Sequence, residues 1–121
     1  MIILISHGFK FSRPEANIVF DVSYFKNPWR DHKIRHEKDN KRRKKMIMEF
    51  MDDQDAVVAF VARVESLIRF YNSVLPDENI IIAFCCSAGE YRSPAIVEMV
   101  SDELTKTKIK HKTPKNINSK L

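Results

Sequence analysis

The sequence predicts a single layered α/β/α domain with a mainly parallel sheet, and three observations carry that expectation. Met1 to Ser6 and Ile80 to Phe84 are continuous apolar runs, the signature of strands in a sheet covered on both faces. Other stretches carry apolar residues at helical spacing. The resulting order, strand, strand, helices, strand, helix, strand, is that of an α/β layered fold. With 121 residues, 44% hydrophobic and 31% charged, the chain is long enough for one soluble domain with a core of its own.

Met1 to Ser6 is the first strand, and His7-Gly8 turns the chain into a loop carrying Phe9 and Phe11. Ala16 to Val22 is the next strand, with the Asp21 carboxylate emerging at its end, and Asn27-Pro28 breaks the pattern. Arg30 to Lys45 is strongly basic and reads either as a solvated loop or helix face or as a surface for phosphate backbones. A short helix over Arg42 to Met51 packs through Phe50 and through Met46, Met48 and Met51, methionines that fill a core. Asp52-Asp53-Gln54-Asp55 caps a long helix, Asp55 to Val74, whose Val57, Val61, Val64, Ile68, Tyr71 and Leu75 form an apolar stripe. Pro76-Asp77-Glu78 ends it and feeds the strand Asn79 to Phe84. A helix from Pro94 to about Leu104 follows, then a short strand, Lys108 to Lys112, which closes a domain spanning 1–112. The polar, basic end, Thr113 to Leu121, reads as a frayed tail.

The formal net charge of +5 favours acidic partners: phosphorylated metabolites, nucleic acid or acidic proteins. Cys85 and Cys86 are adjacent and have no distant partner, which excludes a disulfide framework and fits a reduced, cytoplasmic setting. The apolar start lacks a basic flank and is too short for a signal or a membrane span, so no membrane partner is expected. His7, His32, His36 and His111 are scattered, and neither a metal site nor a cofactor is expected. His7 alone follows a strand and reaches toward the rim that carries Cys86.

Chemistry concentrates in Cys86-Ser87-Ala88-Gly89-Glu90-Tyr91-Arg92-Ser93, between a strand and a helix start. Small residues let the backbone wrap a ligand, and loop amides added to a helix N-terminus suit phosphate. Arg92 can grip two phosphate oxygens at once. The spacing of cysteine, five residues, arginine, serine is similar to the signature loop of cysteine-dependent protein tyrosine and dual-specificity phosphatases. That resemblance implies Cys86 as thiolate nucleophile, Arg92 as clamp, a hydrogen bond from Ser93 to the sulfur, and an upstream aspartate as general acid, for which Asp52, Asp53 and Asp55 lie at about the right remove and Asp55 is the one chosen. Cys85 stands where those enzymes usually carry His, and Tyr91 and Pro94 replace small residues.

A second resemblance covers more of the chain. SHGFK (Ser6 to Lys10), VFDVSYFKNP (Val19 to Pro28), CCSAGEYRSPAIVE (Cys85 to Glu98) and KHK (Lys110 to Lys112) occur in the order and at the spacing of the C-terminal domain of the RNase adapter protein RapZ. The resemblance implies a free-standing copy of that domain, without the family's N-terminal nucleotide-binding half; no Walker-type GKS occurs in the sequence. It further implies a non-enzymatic domain that binds an amino-sugar phosphate and small RNAs and engages an endoribonuclease. Ligand contacts carried over fall on Cys86, Ser87, Ala88, Tyr91, Arg92 and Phe11. The family has Thr at Ser87, Gly at Ala88, His at both Tyr91 and Phe11, and Arg at Ser23. Two aromatic faces in place of two imidazoles favour stacking on a base, so a nucleotide or an RNA end fits the altered site.

Three functions follow. The first is a binding module for a phosphorylated small molecule, phosphosugar or nucleotide, and for RNA or an RNA-processing protein, with Lys41, Arg42, Arg43, Lys44, Lys45, Lys110 and Lys112 as the nucleic-acid face. The second is a cysteine phosphatase. The third is a catalytically silent interaction module that competes with a full-length relative, its oligomeric state open.

Overall fold

Four strands, Ile2–Gly8 (β1), Ile18–Asp21 (β2), Ile80–Cys86 (β3) and Thr107–Lys112 (β4), make one sheet in the computed structural model, which describes residues 1–102 and 107–112. Their order is β2-β3-β1-β4 and every pairing is parallel. Register runs from Ile2 opposite Ile80 to Gly8 opposite Cys86, so β1 and β3 end side by side. Both strands reach beyond the apolar runs, through Gly8 and through Cys86 respectively, because the parallel ladder continues to these residues. The chain is thus an α/β domain with a parallel sheet.

A 3-10 turn over Pro28–Arg30 precedes four helices, His32–His36 (α1), Asn40–Asp52 (α2), Asp55–Val74 (α3) and Arg92–Asp102 (α4). The basic stretch is therefore helical for most of its length. Asp31 starts α1 by accepting from the amides of Lys33 and Ile34, and Asp39 starts α2 by accepting from Arg42 N at 2.9 Å. That second cap explains why α2 begins at Asn40, two residues ahead of Arg42.

The acidic group before α3 has a different role from the expected cap. Asp52 ends α2, Asp53 follows as its C-cap, and the N-cap of α3 is Gln54, which makes no capping bond with its side chain. The Gln54 amide is engaged elsewhere: Oε1 accepts from Lys26 N at 2.9 Å and Nε2 donates to Lys26 O at 3.2 Å. Asp55 remains in the first turn, where its charge suits the helix dipole.

Val57, Val61, Val64 and Ile68 of α3, Ala95, Ile96, Val97 and Val100 of α4, and Met51 of α2 bury against Ile2, Leu4, Ile80, Ile82 and Phe84. Phe20 stacks on Phe84 at 5.6 Å and meets the edge of Phe60 at 5.3 Å, closing the β2 side of this core. The stripe read from the sequence ends sooner than expected, since Tyr71 is half-buried and Leu75 is exposed. The alternate residues Ile5, Ala83 and Cys85 are also buried, on the other face, with Ile3, Ile81 and Ala16 packed beside them. Among the described residues α2, α3 and α4 all serve the first face, and the segment between β1 and β2 supplies Ala16 to the second. Asn17 locks that segment to β3, its amide donating to Ile81 O at 2.9 Å and its side chain accepting from Ile81 N at 2.8 Å.

No helix among the described residues is long and apolar enough to cross a membrane. Leu104, Lys106 and the tail 113–121 lie outside the described residues.

Ile68 is fully buried and Val58, on the same helix, is 46% exposed. Ile68→Ala is expected to lower unfolding free energy by about 2–5 kcal/mol, and Val58→Ala by no more than about 0.5 kcal/mol. Urea denaturation of the two variants beside the parent protein measures both.

Candidate phosphate-binding site

With β3 ending at Cys86 and α4 starting at Arg92, Ser87 to Tyr91 form the loop at the carboxyl ends of the central strands. Ligands bind at this edge of open α/β sheets. The chain leaving β1 holds the loop in place: Phe9 N donates to Cys86 O and Lys10 N to Ser87 O, both at 3.0 Å. Gly8 and Gly89 then meet backbone to backbone. A Cβ on Gly8 would stand 2.5 Å from the Ala88 carbonyl carbon, and one on Gly89 would stand 2.7 Å from Gly8 N. Gly89 also turns the loop at φ 70°, in the left-handed region that suits glycine. Among the described residues, the loop's bonds to the fold run through carbonyls, those of Ser87 and Tyr91, and no amide of residues 87–91 donates to the fold. Those amides, with the first turn of α4, are the donors that an anion would use. Pro94 sits within that first turn, where an N–H would lack a helical partner.

Arg92 joins the loop to the end of β2. Its Nη1 donates to the Ser23 carbonyl and, at 3.2 Å, to the Phe25 carbonyl. The receiving segment is itself pinned, because the Asp21 carboxylate accepts from both Ser23 N and Ser23 Oγ, and Gln54 holds Lys26. Asn27 accepts from Trp29 N at 3.1 Å and sets the 3-10 turn, which lays the Trp29 indole on the Tyr91 ring with centroids 5.2 Å apart and planes 10° from parallel. A hollow of about 330 Å³ results, lined by Asn27, Trp29, Cys86, Ser87, Ala88, Glu90, Tyr91 and Arg92.

Burial raises the protonation range of two groups near the loop, Cys85 and Tyr91. Cys86 is 2% exposed, and its Sγ lies 3.3 Å from Ser93 Oγ. Cys85 points to the opposite face of the sheet, where burial, then Cys86 and Asp21, push its thiol up to about 11. Burial and the neighbouring Glu90 carboxylate, which hydrogen-bonds to the phenol, raise Tyr91 from its usual value against the opposing pull of Arg43.

Six of the expected ligand residues, Cys86, Ser87, Ala88, Glu90, Tyr91 and Arg92, share the hollow. Gly89 is buried as its turn, and Ser93 stands behind Cys86. His7 does not reach the rim. It pairs with Cys85 in the sheet register, is 3% exposed, and its Nε2 contacts Ser12 O at 2.8 Å and Ser12 Oγ at 3.1 Å; its Nδ1 has no described partner. Phe11 is exposed, with Lys10 Nζ 5.5 Å above its ring, and does not line the hollow. Asp55 lines a separate depression with Lys26 and Phe50. Lys41, Arg42, Lys44 and Lys45 are exposed on α2. Arg43 is half-buried and donates to Glu37 O and Asn40 Oδ1. Lys110 and Lys112 belong to β4, at the opposite edge of the sheet from β2.

Trp29 and Asn27 escaped the reading of the sequence, in which Asn27-Pro28 served only as a break. Trp29 is the chain's one tryptophan and directly follows that Asn-Pro pair, which is the signal that was there to use.

Fold and loop define an α/β domain whose candidate site opens where parallel strands hand over to a helix. The chain belongs to the RapZ C-terminal domain family, whose model matches residues 1–116. Similar curated proteins include one from Caldicellulosiruptor saccharolyticus, 29% identical over 81% of this chain and 34% of its own length. Another, from Neisseria meningitidis serogroup B, is 28% identical over 99% of this chain and 44% of its own length. A third, from Clostridium beijerinckii, is 27% identical over 92% of this chain and 40% of its own length. All three are named nucleotide-binding proteins, and the chain spans less than half of each.

The raised Cys85 pKa has a consequence for stability. Its ordinary value is 9.0 and the folded one about 11, so the neutral thiol favours the fold below pH 9 and that contribution fades as pH rises from 9 to 11. The thermal midpoint of the parent protein is expected to fall more steeply over that window than that of Cys85→Ala, as measured by circular dichroism melts at matched ionic strength.

Proposed function

We propose that the domain binds a phosphorylated small molecule, with the phosphate held by the amides of residues 87–91 and by Arg92. The observation that carries this reading is a hollow of about 330 Å³ lined by Arg92 and by a loop whose amides make no backbone hydrogen bond to the described residues. The stacked Trp29 and Tyr91 wall favours a ligand with a planar ring, hence a nucleotide over an amino-sugar phosphate. The names of the relatives accord with that class, although they describe proteins more than twice as long as the matched part.

Titration calorimetry with a nucleoside monophosphate, an amino-sugar phosphate and inorganic phosphate tests both halves of the proposal. The nucleotide is expected to bind most tightly. Arg92→Ala should weaken every ligand roughly 10-fold to 100-fold, the value of about 1.5–3 kcal/mol of charge-assisted bonding. Trp29→Ala should weaken the nucleotide alone, by about 1–3 kcal/mol. Equal affinities for nucleotide and inorganic phosphate in the parent protein would remove the base-stacking part, and no binding of any of the three would remove the site.

RNA is a second ligand class, favoured by the four exposed cations Lys41, Arg42, Lys44 and Lys45 on α2. In this reading RNA affinity falls steeply between about 50 and 200 mM salt, and replacing the four by glutamine flattens the dependence. Filter binding over that range decides it, a salt-independent affinity being the contrary result.

A further inference from the structure

Arg92 faces a second hollow as well. About 820 Å³ of open space lies on its other side, and the charged residues lining that space are Lys26, Arg30, Arg92 and Asp31. Asp31 already accepts from the Lys33 and Ile34 amides at 2.8 and 3.4 Å, so its carboxylate is engaged at the start of α1. Three cations against one engaged carboxylate leave this hollow positive. It shares Asn27, Ser87 and Arg92 with the smaller hollow, so the two spaces adjoin at one guanidinium. Two hydrogen bonds to carbonyls occupy Nη1 of that guanidinium and leave its remaining N–H groups for ligands.

We infer that the site takes a diphosphate: one phosphoryl group on the loop amides, the next across Arg92 between Lys26 and Arg30. This rests on the phosphate reading of the loop and adds the class of ligand. A single phosphate would satisfy the loop and leave Lys26 and Arg30 without an anionic partner; a second, linked phosphoryl group in the hollow that Ser87 and Arg92 share with them would supply one. Arg92 is then the shared element that a linked pair of phosphates uses better than two separate ones.

The probes are inorganic phosphate and inorganic pyrophosphate, titrated by calorimetry into the full chain at fixed ionic strength. Pyrophosphate is expected to bind at least tenfold more tightly in the parent protein. In the double variant Lys26→Ala, Arg30→Ala that advantage should disappear while phosphate affinity stays within twofold. Both residues are exposed, so the fold is expected to tolerate the change, and a matching circular dichroism melt checks it. Equal affinity for the two anions in the parent protein overturns the inference and leaves the loop's phosphate reading standing. An advantage that survives the double variant overturns the placement of the second group. Binding of neither anion overturns the inference together with the reading it rests on.

Discussion

Two glycines touching through their backbones set the shape on which the site depends. Gly8 closes β1, Gly89 turns the loop after β3, and each occupies space that a side chain on the other would need. The contact exists because β1 and β3 pair in parallel and end in register at Gly8 and Cys86. The chain leaving β1 therefore lies against the loop and takes its carbonyls, through the amides of Phe9 and Lys10. Once the carbonyls are bound on one side, the peptide planes turn their N–H groups to the other. On the phosphate reading proposed above, anion affinity in such a loop follows from strand register and needs no charged residue beyond the arginine.

Arg92 is the second point of closure, and it works in both directions. It ties α4 to the segment after β2 by donating to the Ser23 and Phe25 carbonyls, and it presents its other donors to the spaces on either side. The segment it holds is fixed independently by Asp21 and Gln54. Substituting Arg92 accordingly removes a ligand group and loosens the wall made by Asn27 and Trp29, so binding losses there combine the two effects and are read alongside a melt.

Much of this arrangement was legible in the sequence. The strands announced themselves as apolar runs, α3 through Val57, Val61, Val64 and Ile68, and the site through small residues between a strand and a helix. What the sequence concealed depends on tertiary pairing. His7 looks available because it follows a strand, but parity decides its face: it lies in register with Cys85, and Cys86 belongs to the helix-covered face. Phe11 was placed at the site by resemblance, yet the turn after β1, with Phe11 N donating to Gly8 O at 3.1 Å, leaves its ring exposed. Trp29 went unread because a 3-10 turn, invisible to periodicity, brings it to Tyr91. Gln54 likewise looked like part of an acidic cap; only contact with Lys26, 28 residues away, shows its use.

The same physics separates two uses of one loop. A cysteine hydrolase needs a thiolate open to substrate, an arginine to steady the transition state and an acid within reach of the leaving oxygen. Here Cys86 and Arg92 line one hollow, but Cys86 is buried with its sulfur against Ser93 at the edge of the helix-covered core, and Asp55 lines a different depression beside Lys26 and Phe50. Holding a phosphate asks less of the protein. It requires amides, one fixed guanidinium and a wall of suitable shape, all of which the folded chain keeps in place through main-chain contacts. Those contacts tolerate changes in loop side chains so long as Gly8, Gly89 and Arg92 remain. On the proposed reading, ligand preference is set by the surrounding residues, by Trp29 and Tyr91 on one side of Arg92 and by Lys26 and Arg30 on the other.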